Sequence, residues 1–134
     1  MAATFLTALL GCFVAWIAAT VLGEPVYRFL QLRLDAARTI ARFDPYAAEG
    51  GNKNPDAGSA DWIAERKRAY NTCGIDLQAF AATHPYISFI LRWLGYHPDR
   101  AGLALAAMGN MPPTDPNKAG QRDDVAQSLC LDFE

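Results

Sequence analysis

The chain has 134 residues and carries 12 Lys and Arg against 14 Asp and Glu, a formal net charge of −2. That length allows one membrane helix and one small domain. With charges nearly balanced and no basic patch interleaved with aromatics, nucleic acid is excluded as the expected partner.

The first charged side chain is Glu24. From Ala2 to Gly23 the chain reads AATFLTALLGCFVAWIAATVLG, with only Thr4, Thr7 and Thr20 as mild polar interruptions. At about 1.5 Å of rise per residue, roughly 20 such residues cross a hydrocarbon core of about 30 Å. A lone segment satisfies its own backbone in that medium only as a helix, so residues 1–23 are predicted to be a transmembrane helix. No Lys or Arg precedes the run, whereas Arg28, Arg33, Arg38 and Arg42 follow it closely. Basic residues favour the cytoplasmic side, which predicts the N-terminus outside and residues 24–134 inside.

Two processing alternatives compete with that topology. A secretory signal cleaved after Gly23 has acceptable small residues at the cut but lacks the basic region that should precede it. The stretch Leu9-Leu10-Gly11-Cys12 resembles a lipoprotein box, yet the apolar run continues well past Cys12. In a reducing cytoplasm Cys73 and Cys130 remain thiols. In an exported chain those two are the expected bridge.

Pro25 suits the first turn of a new helix, because proline has no N–H to lose there. Residues 24–44 are predicted to form an amphipathic juxtamembrane helix, either kinked from the span or lying along the inner leaflet. At 100° per residue Arg28, Gln31, Asp35, Arg38, Thr39 and Arg42 share one face, and Val26, Phe29, Leu30, Ala37, Ile40 and Ala41 the other. Arg28, Arg38 and Arg42 are expected to touch anionic headgroups. Arg33 breaks the pattern by projecting from the apolar face. It either snorkels to water or forms a buried pair with a carboxylate, a run of backbone carbonyls or a lipid phosphate.

Asp44-Pro45 ends that helix, and residues 45–60, rich in Gly, Asn and Pro, read as a linker. Ser59 or Asp61 can cap the next helix. Trp62, Ala69, Cys73, Leu77 and Phe80 recur at helical spacing, with Glu65, Arg66, Lys67 and Arg68 as a solvated face. Gly74 is expected to weaken the middle. Pro85–Leu94, closed by Gly95, is half the length of a span. It is read as a core helix, with an interfacial helix anchored by Tyr86, Trp93 and Tyr96 as the alternative. Phe89, Trp93 and Leu94 are its candidate partner surface. A last helix runs from Asp99 to Met108, where Gly102 and the alanines allow close packing. Residues 111–134 are expected to be mostly disordered, with a short helix over 125–133 on contact with a partner.

The sequence therefore reads as all-α: a transmembrane helix, a juxtamembrane helix and a bundle of about three short helices at residues 61–110, a size that calls for partners. His84 and His97 lack the spacing of a ligand pair and suit helix ends. No nucleotide, zinc or nucleophile motif is present, so no cofactor and no enzymatic activity are expected.

Two stretches, EPVYRFLQLRLDAARTIARFD and LRWLGYHPDRAGLALAAMGN, resemble a group of small, uncharacterised single-pass membrane proteins of proteobacteria. The resemblance covers about a third of the chain, residues 24–44 and 91–110, and implies bacterial inner-membrane residence without implying an activity. The expected function is a membrane-anchored interaction or scaffold subunit, bound to another membrane protein or a second copy of itself. The alternative is a tethered ligand-binding or sensory module whose pocket is lined by Arg33, His84 and His97.

Overall fold

The computed structural model describes residues 2–43, 59–113 and 115–131, with side chains from residue 4 onward. Among them there are five helices and no strand: α1 (Ala2–Phe43), α2 (Ala60–Thr83), α3 (Pro85–Trp93), α4 (Pro98–Asn110) and α5 (Lys118–Leu129). The predicted linker at 45–60 lies outside the described residues up to Ser59. Ser59 caps α2, its hydroxyl accepting the Trp62 N–H at 3.2 Å.

The break expected at Pro25 is absent. α1 is one helix of 42 residues with Pro25 inside it. A proline there forgoes one ladder bond, a loss that neighbouring groups can absorb where a helix leaves a bilayer. The two halves differ in what surrounds them. From Thr4 to Glu24 every side chain is exposed. Beyond it Phe29, Ala36, Ile40 and Phe43 are buried along one stripe. The three large members contribute about 1.5–3 kcal/mol each by leaving water.

Ring contacts fix the direction of α2. Phe43 meets Trp62 at 5.9 Å, and Phe29 meets Phe80 at 5.8 Å, so α2 runs antiparallel to α1 and ends on the side of the apolar half. α4 returns beside α2. A Cβ on Gly74 or on Gly102 would stand 2.7 Å from the other's carbonyl oxygen, and one on Gly109 would meet Tyr70 and Lys67. Only residues without a side chain permit backbones that close, so Gly74 is the crossing point of two helices rather than a weak place in one. α5 runs back along α4 and brings the Ser128 carbonyl to the His97 N–H at 2.7 Å. Tyr70, Leu77, Leu105, Met108, Val125 and Leu129 fill the centre.

Two further expectations are corrected. The segment after Asn117, expected to be disordered, forms α5 and buries Lys118, Val125, Ser128 and Leu129. Arg66, expected on a solvated face, is 1 % exposed. It falls at i+4 between Trp62 and Tyr70, on the stripe that faces α4.

Candidate membrane and interaction surfaces

Both arginines that lie on apolar stripes do the same work. The last carbonyls of a helix have no partner within it and carry its negative dipole end. Arg66 donates to the carbonyls of Met108 at 2.9 Å and Met111 at 3.0 Å, closing the end of α4, with its guanidinium 5.2 Å from the Tyr70 ring centre. Arg33 donates to Leu129 O at 2.8 Å and to Cys130 O, closing the end of α5. Of the options open for Arg33, the fold uses backbone carbonyls. Cys130 there has φ 48°, the left-handed conformation of a helix C-cap, and Leu131 N–H returns to Ala126 O at 2.9 Å.

The remaining arginines of α1 are exposed. Arg38 lies 3.8 Å from Asp35, and Arg42 reaches Glu65 on α2 at 2.7 Å. For a span over residues 2–23, an unbroken helix carries Arg28 about 8 Å past the hydrocarbon edge, Arg38 about 22 Å and Arg42 about 28 Å. The headgroup layer is roughly 5–8 Å thick. On that spacing Arg28 falls within the layer, and Arg38 and Arg42 lie further along α1.

α3 has two faces. Ile87, Ser88 and Leu91 are buried, while Tyr86, Phe89, Ile90, Trp93 and Leu94 are exposed, Trp93 at 83 %. The reading of this segment as a core helix holds only for the narrow stripe. The three residues named as a partner surface, Phe89, Trp93 and Leu94, all lie on the open face. Gly95, at φ 93°, turns the chain so that Tyr96 can stack edge-on against Phe29 at 5.4 Å.

Arg33, His84 and His97 do not share a pocket. His84 caps the junction of α2 and α3 and packs its ring, tilted by 56°, against Phe80 at 5.1 Å. His97 lies at the start of α4 and lines a cleft of about 640 Å³ between α4 and α5, with Arg100, Leu103, Asp124 and Gln127. Neither Arg33 nor His84 reaches that cleft. Among the described residues no three His, Cys, Asp or Glu side chains form a metal-binding group.

The three cysteines are free thiols. Cys73 faces the groove between α1 and α2, whereas the Cys130 sulfur lies 3.9 Å from Gly95 O. Burial, reinforced by Asp35 and Asp76, pushes the Cys73 thiol up to about 11 from 9.0, so it stays protonated and unreactive at neutral pH.

α1 is long and apolar enough to cross a membrane, and none of its most apolar window is buried. Comparison of the chain with protein-family models, with curated proteins and with solved structures finds no match in any of the three.

Proposed function

We propose that this chain is a single-pass protein of the bacterial inner membrane, N-terminus outside and helical head cytoplasmic, that serves as an interaction or scaffold subunit of a membrane assembly. One observation carries the reading: α1 is a single rod whose outer half is apolar and uncovered and whose inner half is built into the core of the head. A subunit that holds its partners at a set height and angle from the bilayer depends on such a fusion.

The basic residues that follow the apolar half support the orientation. Arg33 and Arg66 close helix ends, and the Cys73 thiol is held neutral. The α4–α5 cleft offers a polar concavity, with Arg100 and Asp124 of opposite charge, for a partner's side chains.

The test has two readouts on the full-length chain in its native membrane. With Cys12→Ala, a membrane-impermeant maleimide should reach the exposed Cys130 only after permeabilisation. Labelling from outside would reverse the topology. Purification in mild detergent should retain a stoichiometric partner that Arg100→Glu weakens, whereas a chain that elutes alone from its membrane would end the scaffold reading.

A further inference from the structure

We infer that α3 is a second membrane contact, its open face lying in the headgroup layer of the bilayer that α1 crosses. The inference rests on the single-pass reading above. Its first support is position. The apolar run of α1 ends at Gly23, and Phe29 stands about 9 Å beyond it along the helix. Phe80 packs on Phe29, and α2 runs antiparallel to α1, so the last turn of α2 climbs roughly 5 Å back toward the span. α3 begins immediately afterwards, at Pro85. It bridges the ends of α2 and α4 on the side of the apolar half, at the depth of a layer about 5–8 Å thick.

The second support is chemistry. Tyr86, Phe89, Ile90, Trp93 and Leu94 follow the 3–4 spacing of one helical face and are all exposed. Tyr86 and Trp93 stand near the two ends of the helix with Phe89 and Ile90 between them. Rings with a polar edge belong at the water–lipid boundary, with aliphatic and phenyl groups just below it. Charge agrees with this. Arg28 is exposed at the same level on α1, and Arg92 of α3, 2.9 Å from Asp99, keeps its head half exposed. Arg28 is placed to meet lipid phosphate.

Depth decides between lipid and protein. A face only a few ångströms from the hydrocarbon edge has lipid as its nearest neighbour. The head is therefore seated on the bilayer at two points, the α1 rod and the α3 face, which fixes its rotation about the rod as well as its height.

The test uses the full-length chain reconstituted in vesicles containing an anionic phospholipid, with bromine placed on the acyl chains either near the headgroup or near the bilayer centre. In a Trp16→Phe chain, Trp93 is the reporter and the buried Trp62 a constant background. The expected result is emission reduced by about half with shallow bromines, insensitivity to aqueous acrylamide, and disappearance of both effects when Trp93→Phe is added. In a Trp93→Phe chain, Trp16 reports the span and should be quenched by deep bromines. If Trp16 is quenched while Trp93 stays open to acrylamide, the inference falls and the single-pass reading stands. If Trp16 is not quenched, both fall. Trp93 shielded from bromine and acrylamide alike would mean that a second copy covers α3, which also overturns the lipid assignment.

Discussion

α3 and α4 begin alike, each at a His-Pro pair with proline in the first helical turn, yet they end up in opposite places. α3 carries Tyr, Phe, Trp, Ile and Leu and leaves most of that surface open. Past its polar first turn α4 carries Gly, Ala, two leucines and a methionine before Asn110, and it forms the centre of the head. Burial here follows how closely two backbones can approach rather than how apolar the side chains are. Gly102 and Gly109 let α4 lie against α2 with almost nothing between them. The bulky helix is left at the rim, where a different solvent can receive it.

That contrast can be broken most sharply at the crossing point. Gly102→Val places a branched side chain where a single Cβ already comes within 2.7 Å of the Gly74 carbonyl. A loss of about 3 kcal/mol or more is expected in chemical denaturation of the detergent-solubilised chain. A variant of wild-type stability would show that the seam is not as tight as described. Next in size is Arg66→Met, which keeps the volume and removes both donors to the end of α4. It should cost about 2–3 kcal/mol, with faster amide exchange concentrated in the last turn of α4.

A smaller effect is expected at Cys73, on the other side of α2. Its thiol is shifted upward in the fold, so the unfolded chain gives up its proton first as pH rises. The contribution of this thiol to stability should be constant below pH 9 and fall between 9 and about 11, on the order of 1 kcal/mol, and Cys73→Ala should remove that fall. Smallest of all is Phe89→Ser on the open face of α3. Its effect on unfolding in detergent should stay within about 0.5 kcal/mol, against the large cost at Gly102.

The all-helical class, the apolar span and the small-residue helix were legible because each rests on a pattern within one segment. What escaped depends on pairs far apart in the chain. α5 reads KAGQRDDVAQSL, and its only large buried apolar residues, Val125 and Leu129, stand four apart in a polar stretch. Nothing local marks it as folded, since Arg33 and the His97 N–H hold its end from elsewhere. Arg66 was hidden for another reason. Within Glu-Arg-Lys-Arg it looks like one more solvated charge, although its spacing from Trp62 and Tyr70 puts it on the buried stripe. Spacing carried that signal and composition masked it. At the candidate site, the open face of α3 was visible as a run of aromatics, but its level with the span came only from the Phe29–Phe80 contact.

The bond from Arg33 to Leu129 also sets an order of events. The two residues are 96 positions apart, and the arginine is made first. At about 5–20 residues per second, roughly 5–20 s separate the guanidinium from the carbonyls that will receive it. α2, α3 and α4 can all be laid down and paired in that interval, while the flank of α1 destined for α5 remains uncovered. The seam between α1 and α5 is thus the one whose two sides are made furthest apart in time.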